Sequence, residues 1–491
     1  MSAEAVTTVV GPSLDLLQRS EPLPFRALSA SAMVAWAIGA AAAFHLAYEV
    51  FPPAILLFLV CIFQLSRTTT RPRAMYAGWL LGLCIYGPQL AFFYSIFGFA
   101  AVALWLVLAT WLSVYLVLQR FALMKFGMKY GALAAPFIWT GVEYFRSELY
   151  YLRFSWLNIG YAMSSFPEAA LLPWLGMYGT GFVSMALAAT IPWFQSSTWR
   201  AKCIWTFTLA LFLLAGQAMT HRQTSGAAGV GDLRVAGVQL EFADPQTILA
   251  ELDKAVAKWP NAELLVLSEY TFDGKVPSRI AAWCKKHKKY LLAGGKEYLD
   301  SLERRFRNTA FVIGPEGQEV FSQAKMVPIQ FFKDGLPALQ QNLWHSPWGT
   351  IGFCVCYDLS YTRVTDELVR QGAQVIIAPT MDVQDWGARQ HRLHARVAPI
   401  RAAEYGIPIF RLCSSGISQA VNGRGRVLAS AAFPGQGEGI AATFQLVPAT
   451  KHVPLDRYLV WLCVCACALL LTWYVVGSLW IRASSCRLLR R

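Results

Sequence analysis

Long uncharged apolar runs alternate with short polar connections over the first 220 residues and return near the C-terminus. A run of about 20 apolar residues is long enough to cross the hydrocarbon core of a bilayer as a helix. Eight spans are predicted, two of them in the uncharged block 74–119, where a turn near Gly98 separates them. The other six are residues 27–48, 50–66, a span starting near Ala132, 169–195, 203–220 and 458–481. The pattern predicts a multi-span α-helical membrane domain.

The polar block between the seventh and eighth spans shows a different pattern, in which short apolar runs alternate with amphipathic stretches. Strands are predicted at residues 233–240, 264–268, 290–294, 350–355, 373–379 and 408–413. Helices are predicted at residues 245–259 and 278–289, and from about Ser360 and Arg389. Alternation of this kind is typical of a layered α/β domain.

These patterns divide the chain into five parts. They are an N-terminal segment 1–26, a membrane domain 27–220 of about seven transmembrane helices, an α/β domain 221–457, a C-terminal transmembrane helix 458–481 and a basic tail 482–491.

Basic residues in alternate connections give the expected orientation. They are Arg67, Arg71 and Arg73; Arg120, Lys125 and Lys129; Arg200 and Lys202; and Arg482, Arg487, Arg490 and Arg491. Because Lys and Arg concentrate in cytoplasmic connections, both termini are predicted to be cytoplasmic and the α/β domain to lie on the opposite face.

Composition agrees with a membrane protein and excludes several other classes. Only 15% of the residues are charged and 56% are hydrophobic, whereas soluble domains carry roughly a quarter charged residues. Residues 221–457 hold 27 of the 43 Lys and Arg and 22 of the 29 Asp and Glu, so most of the net charge of +14 lies beside the apolar spans. We therefore expect no nucleic-acid partner. The 11 cysteines form no C-x-x-C pair, which argues against a structural metal site or a disulfide framework.

Cys356 is the first candidate for chemistry, because it follows an apolar strand and precedes a predicted helix. A helix N-terminus lowers a thiol pKa, and its free N–H groups can stabilise an oxyanion. Cys354 lies deeper in the same strand and is expected to be inert. Glu269 ends the apolar strand 263–270 and Lys325 ends the segment FSQAK, so both are expected at strand ends, where α/β sheets place their ligands. An acid–base group, a cation and a thiol could together carry out acyl transfer.

Other polar residues receive more modest interpretations. Glu143 and Arg146 stand near an apolar span, where ionisable groups are costly, and we hypothesise that they form the polar rim of a lipid-facing cavity. His391 and His394 have no acidic or cysteine partner at metal-ligand spacing, so they are expected at the surface or behind the site residues. Arg401 and Glu404 are spaced for a structural i, i+3 ion pair.

Several segments in a fixed order carry a resemblance to the nitrilase, or carbon–nitrogen hydrolase, superfamily. They are VAGVQL (235–240), LVLSEY (265–270), RNTAFVIGPEGQ (307–318), Lys325 before Val-Pro, GFCVCYDLSY (352–361), GAQVIIAPTMDVQDWG (372–387) and QHRLHARVAPIRAAEYGIPIFRLCSSGIS (390–418). The membrane half resembles the apolipoprotein N-acyltransferases through FIWTGVEYFRSELYYLRFSWLNIGYAMSSFP (137–167) and PWLGMYGTGFVSMAL (173–187).

The resemblance implies an αββα sandwich outside the cytoplasm of a multi-pass protein of the bacterial inner membrane. It also implies Glu269 as general base, Lys325 as oxyanion-stabilising cation and Cys356 as nucleophile, with the backbone N–H of Tyr357 as a further donor. The implied reaction transfers an acyl chain from a membrane phospholipid, through a cysteine thioester, to the N-terminal α-amine of a diacylated lipoprotein precursor. No cofactor or metal is expected, and we expect a monomer.

Three alternatives remain at this point. A membrane-anchored nitrilase-type amidohydrolase would use the same triad, and the chain favours it slightly because no glutamate closely follows Val327-Pro328 as it does in the acyltransferases. A non-enzymatic membrane scaffold would not need all three triad positions to be filled. A Cys-His hydrolase would need a histidine beside Cys356.

Overall fold

The computed structural model describes residues 23–488 apart from 168–170, 197, 201, 204–205, 207–230, 301, 303–304 and 436. Most of the predicted seventh span, 203–220, and most of the predicted N-terminal segment lie outside these residues. Helices form the N-terminal half: α1 (Ala30–Glu49), α2 (Ala54–Leu65), α3 (Arg71–Gln89), α4 (Phe92–Phe97), α5 (Ala100–Tyr144), α6 (Ile159–Ala162) and α7 (Leu172–Ser196). A final helix, α13 (Asp456–Leu488), follows the α/β domain.

Four helices in the described part of the chain are long and apolar enough to cross a membrane: Ala30–Glu49, Ala100–Leu149, Leu172–Ile191 and Asp456–Trp480. The predicted second span is shorter than expected, because the 12 residues of α2 rise only about 18 Å. The block 74–119 does contain parts of two long helices, and Gly98 ends the short helix between them at φ 56°.

The predicted fourth and fifth spans lie in consecutive halves of helix α5. Gly127 interrupts it with φ 71° and ψ 178°, a conformation open to glycine but not to residues with a side chain. The helix thus consists of two halves, and a five-residue π-helical turn, Phe145–Leu149, extends the second half.

Twelve strands in the described residues build two six-stranded sheets. The first sheet has the order β12-β1-β2-β3-β4-β5 and the second the order β11-β10-β9-β8-β7-β6. The first contains β1 (Gly231–Val238), β2 (Leu264–Val266), β3 (Tyr290–Tyr298), β4 (Phe306–Ile313), β5 (Glu319–Ala324) and β12 (Gly439–Leu446). The second contains β6 (Leu343–Ser346), β7 (Gly349–Phe353), β8 (Val375–Thr380), β9 (Ile409–Cys413), β10 (Ser418–Val421) and β11 (Val427–Ala431).

The central strands β1-β2-β3 and β7-β8-β9 are parallel, whereas their neighbours at the sheet edges are antiparallel. Side chains from both sheets, including Val235, Ile351 and Phe410, form one apolar core between them. The two sheets therefore pack face to face, and the carboxyl ends of their central strands can meet at one edge.

Helices cover the outer faces of both sheets. They are α8 (Pro245–Lys258), α9 (Ser278–His287), α10 (Thr362–Gln371), α11 (Gly387–Ala395) and α12 (Val397–Tyr405). Helices α8 and α9 pack on the first sheet through Ile248, Leu252 and Ile280. On the other side, residues of β8, α10 and α12 share one continuous apolar core with the membrane helices. The α/β part is the expected αββα sandwich, and the outer helices of its second sheet lie against the membrane domain.

Buried ion pairs also join the two parts. Arg457, in the first turn of α13, binds Asp366 of α10 at 2.9 Å and Glu404 of α12 at 3.1 Å. The same Glu404 accepts a hydrogen bond from the backbone N–H of Met177, which is free because Gly176 breaks helix α7. Removing one partner from a buried group of this kind leaves an uncompensated charge, so these contacts hold the sandwich in one position over the membrane helices.

Candidate active site

Cys356 lies at a sharp turn between strand β7 and the short 3-10 helix Cys356–Ser360. Its φ of 54° is in the left-handed region, which is unfavourable for a residue with a side chain. Strain of this kind persists only where the surroundings enforce it, and it is concentrated at functional sites. The thiol is 4% exposed, and its sulfur lies 3.9 Å from the carbonyl oxygen of Met381, which follows β8.

Glu269 follows strand β2 and is 3% exposed. Its Oε1 accepts hydrogen bonds from Asn308 Nδ2 at 2.6 Å and from Lys325 Nζ at 3.0 Å. Its Oε2 accepts the backbone N–H of Met381 at 2.8 Å. Three donors, one within β4 and two that follow β5 and β8, fix the carboxylate, which therefore keeps one orientation beside the thiol.

Lys325 follows β5 and is 1% exposed. Burial alone would lower the pKa of its amine, but the carboxylates of Asp334 and Glu269 raise that pKa well above its usual range. The ammonium lies 2.8 Å from Asp334 Oδ2 and 3.0 Å from Glu269 Oε1. The side chain is thus a permanent cation at the edge of the site.

Asp334 is a site residue that the sequence did not indicate. Besides Lys325, it accepts hydrogen bonds from Tyr270 Oη at 2.9 Å, Asn308 Nδ2 at 2.9 Å and the backbone N–H of Ile329 at 2.7 Å. Burial would raise the pKa of Asp334, but Lys325 and these donors lower it below its usual value. This carboxylate partners the lysine although no glutamate closely follows Val-Pro. The available signal was an acidic residue nine positions after the lysine, which is weak evidence without the fold.

The surroundings of the Cys356 thiol disfavour its thiolate form. Burial raises its pKa well above its usual value, the Glu269 carboxylate raises it further, and Lys325 lowers it. The pKa reduction expected from the helix N-terminus is therefore outweighed, since burial and a neighbouring carboxylate both disfavour the thiolate. Such a thiol needs a base to react, and Glu269 lies where a base is needed.

Tyr357 and Asp358 connect the cysteine to the lysine. The backbone N–H of Tyr357 lies in the first turn of the 3-10 helix, where N–H groups have no helical partner. The Asp358 carboxylate accepts the backbone N–H groups of Met326 and Val327 at 2.9 and 2.8 Å, directly after Lys325. Burial raises the pKa of Asp358 to about 7, although Lys325 and these N–H groups lower it. Asp358 thereby fixes the separation between the Cys356 turn and Lys325.

Two adjoining cavities surround these groups. The first, of about 410 Å³, is lined by Glu269, Lys325 and Cys356. The second, of about 130 Å³, is mainly apolar and lies between the sandwich and membrane helices α4 and α5. They share a wall formed by Ile329, Phe332 and Trp386. An apolar chain in the second cavity could therefore present its polar end to the thiol.

Glu143 and Arg146 are not brought to this site. Each is 3% exposed inside the membrane domain, and both line a separate cavity of only about 10 Å³. Glu143 accepts the backbone N–H of Ile159 at 2.9 Å, and Arg146 donates to Asn158. The hypothesis of a polar rim on a lipid-facing cavity does not fit these positions, because both side chains bind neighbouring polar groups of the membrane domain.

Asp382, two residues beyond β8, organises the region behind the site. It binds Arg411 at 2.6 Å and His394 Nδ1 at 2.8 Å, and His391 lies 3.9 Å away. Both histidines are buried, so the structure selects the position behind the site residues over the surface position. The pair Arg401–Glu404 forms as predicted, at 2.6 Å. No group of three His, Cys, Asp or Glu side chains in the described ranges is arranged to hold a metal.

His394 is expected to make folding stability depend on pH. Burial lowers its pKa to about 4, and Arg411 lowers it as well, although Asp382 raises it. An unfolded histidine titrates near 6.5, so the unfolded chain binds the extra proton as the pH falls from about 6.5 to 4. The contribution of His394 to stability should therefore decrease in this window, by roughly 3 kcal/mol in total, whereas the raised pKa of Asp358 acts in the opposite direction. Asp382 contributes only at lower pH, because its own pKa is well below the usual value.

The check is the unfolding midpoint of the detergent-solubilised protein at pH 7 and pH 5. His394→Asn retains a donor to Asp382 but cannot titrate, so its difference in midpoint between pH 7 and pH 5 should lack the loss of stability that His394 causes in the parent. His345→Asn, at an exposed histidine, is the matched control and should leave the difference unchanged. Equal pH dependence in His394→Asn and the parent would contradict the assignment.

Comparison with known proteins agrees with both halves of the chain. A family model described as the apolipoprotein N-acyltransferase N-terminal domain matches residues 31–190, and the carbon-nitrogen hydrolase model matches residues 239–446. The apolipoprotein N-acyltransferase of Pseudomonas aeruginosa (strain UCBPP-PA14) is 24% identical, over 91% of this chain and 95% of that protein.

The protein of the same name from Pasteurella multocida (strain Pm70) is 24% identical, over 76% of this chain and 82% of its own length. Among solved structures, Saccharomyces cerevisiae Nit3, a member of branch 10 of the nitrilase superfamily, is 22% identical with a TM-score of 0.38, over 46% of this chain and 94% of that chain. The chain therefore carries an apolipoprotein N-acyltransferase N-terminal domain followed by a carbon-nitrogen hydrolase domain.

Proposed function

We propose that this protein transfers an acyl chain from a membrane phospholipid to the N-terminal α-amine of a diacylated lipoprotein precursor, through a thioester on Cys356. The observation that carries the proposal is the meeting of Glu269, Lys325 and Cys356 in one cavity that shares a wall with an apolar cavity against the membrane helices. Soluble amide substrates would not need the second cavity. A lipid substrate would, because its chain must remain in apolar surroundings while its ester reaches the thiol.

In the first half-reaction, Glu269 accepts the thiol proton as the sulfur of Cys356 attacks the ester carbonyl carbon. The oxyanion that forms is stabilised by the Lys325 ammonium and the backbone N–H of Tyr357. As the carbon–oxygen bond breaks, Glu269 returns the proton to the leaving oxygen of the lysophospholipid. The acyl chain remains on sulfur as a thioester.

In the second half-reaction, the α-amine attacks the thioester carbonyl carbon and Glu269 accepts a proton from the nitrogen. The same two donors stabilise the second oxyanion. When the carbon–sulfur bond breaks, the sulfur of Cys356 takes the proton from Glu269 and the amide product leaves. The enzyme returns to its starting state without any other reactant.

We place the catalytic domain on the periplasmic face of the inner membrane. Arg120 donates to the carbonyl oxygens of Thr68 and Thr69, so two of the basic connections lie side by side. Arg71 binds Ser478 near the far end of α13, whereas Arg457 at the near end of that helix binds the catalytic domain. The basic connections and the catalytic domain thus lie at opposite ends of the membrane helices, and basic connections favour the cytoplasm.

The test is incubation of the purified full chain with phospholipid labelled in its acyl chain. A hydroxylamine-sensitive adduct is expected in the parent and in Cys354→Ala, the matched buried-cysteine control, but not in Cys356→Ala. Addition of a diacylated lipopeptide should discharge the adduct and yield a labelled amide, while an N-acetylated lipopeptide should not. Release of free fatty acid with no labelled amide would support the membrane-anchored amidohydrolase instead.

A further inference from the structure

Trp156 lies in the loop between the π-helical turn and helix α6 of the membrane domain, and it is 5% exposed. Its indole Nε1–H donates a hydrogen bond to Ser360 Oγ at 3.1 Å. Ser360 is the last residue of the 3-10 helix that begins with Cys356. A side chain of the membrane domain is thus bonded directly to the turn that carries the nucleophile.

The faces and edges of the same indole contact other residues near the site. The ring stacks on His394 with 4.5 Å between ring centroids and an interplanar angle of 22°. It also packs against Tyr357, the residue after the nucleophile, at 5.3 Å. The indole is therefore part of the packing that holds the strained backbone at Cys356.

Trp156 also lines the apolar cavity between the sandwich and the membrane helices, together with Phe92 and Phe154. One rigid side chain consequently forms part of the wall of this cavity and binds the turn of the nucleophile. An acyl chain that fills the cavity restricts the orientations of the indole. Because the indole has few rotamers, such a restriction is transmitted to its hydrogen bond with Ser360.

We propose that Trp156 determines acyl-chain specificity and positions the nucleophile, so that a chain long enough to fill the apolar cavity favours the reactive geometry of the Cys356 turn. This inference rests on the proposed acyl transfer. It adds the residue whose contact with the acyl chain makes the reaction depend on chain length. It makes the rate of thioester formation, and not only the affinity for the donor, depend on chain length.

Three variants separate the two roles. Ser360→Ala and Trp156→Phe both remove the hydrogen bond while the apolar wall stays aromatic. Each should lower kcat for thioester formation about 5-fold with the long-chain phospholipid donor and less with the short-chain donor, because the hydrogen bond transmits the effect of the chain. Trp156→Leu removes the aromatic wall as well, and it should also reduce the long-chain to short-chain ratio of kcat about 10-fold.

The matched control is Trp139→Leu, which removes another buried tryptophan of the membrane domain that lines neither cavity at Cys356. Its chain-length ratio should equal that of the parent. Adduct formation is measured with two donors that differ only in chain length, and thermal unfolding shows whether each variant folds. Trp156→Phe retains most of the packing and keeps the test valid if Trp156→Leu does not fold.

An unchanged chain-length ratio in folded Trp156→Leu would overturn the specificity role. Parent-like kcat in both Trp156→Phe and Ser360→Ala would overturn the positioning role. These outcomes differ from a failure of the proposed function itself, in which the parent would form no adduct with either donor.

Discussion

Replacement of Glu269 by glutamine is expected to lower the rate of thioester formation by about 10²- to 10⁴-fold, the range that a positioned general base contributes. The variant keeps the size of the side chain and one oxygen for the donors Asn308 and Lys325. It loses the ability to accept the thiol proton. Since burial keeps the pKa of Cys356 well above its usual value, very little thiolate is present near neutral pH without a base.

The pH profile distinguishes this role from a structural one. Residual activity of Glu269→Gln should rise as the pH increases, because hydroxide then removes the proton that the carboxylate no longer accepts. Labelled adduct formation is followed from pH 6 to pH 10. Glu297→Gln, at a partly exposed glutamate of strand β3 that lines neither cavity near Cys356, is the matched control and should behave as the parent. Parent-like rates in Glu269→Gln would remove Glu269 from the mechanism.

Replacement of Lys325 by methionine is expected to lower both activity and stability. Loss of one oxyanion donor costs about 10²- to 10³-fold in rate. The substitution also leaves Glu269 and Asp334, with side chains 2% and 5% exposed, facing each other without a cation. Breaking a buried pair in this way costs about 3–5 kcal/mol, so the unfolding midpoint should fall clearly.

A second substitution separates the two effects. Lys325→Met combined with Asp334→Asn removes one of the two unpaired carboxylates, so it should recover part of the lost thermal stability. It should recover no thioester formation, because no cation faces the oxyanion. Thermal unfolding and adduct formation are measured on the same preparations. Recovery of activity in the double variant would mean that Lys325 acts through stability alone.

Of the three site residues proposed from the sequence, Glu269 and Cys356 follow short apolar strands, and Lys325 follows the mixed strand β5. Local pattern is enough to find such positions, since the carboxyl ends of strands are where α/β sheets expose polar side chains. Their meeting is consistent with the expectation, as Glu269 and Lys325 lie 3.0 Å apart and Cys356 lines the same cavity.

The same reasoning could not identify Asp334 and Asp382 as residues of the site region. Asp334 lies in an irregular loop after β5, and its role depends on its contact with Lys325 across that loop. Asp382 gains its significance from Arg411, 29 residues away, and from His394 on a helix. The local composition and residue spacing around an aspartate do not indicate which cation lies beside it in the folded chain.

The sequence likewise predicted some strands and missed others. Strands with continuous apolar runs, such as β1 and β8, were predicted because both faces of a central strand are buried. The sheet-edge strands β5, β6 and β11 were not, because their mixed exposure removes the apolar run that identifies a strand.

The sequence by itself determined that the chain has apolar spans, a layered α/β domain, basic residues in alternate connections and an acid, a cation and a thiol near strand ends. These properties follow from local apolar patterns and motifs. The tertiary structure alone decided that Gly127 divides α5, that Asp334 partners Lys325, that Glu143 and Arg146 lie apart from the site, and that Trp156 contacts the Cys356 turn. Each of these depends on contacts between residues distant in the chain or on a backbone conformation set by packing, and burial then decides how strongly the charges interact.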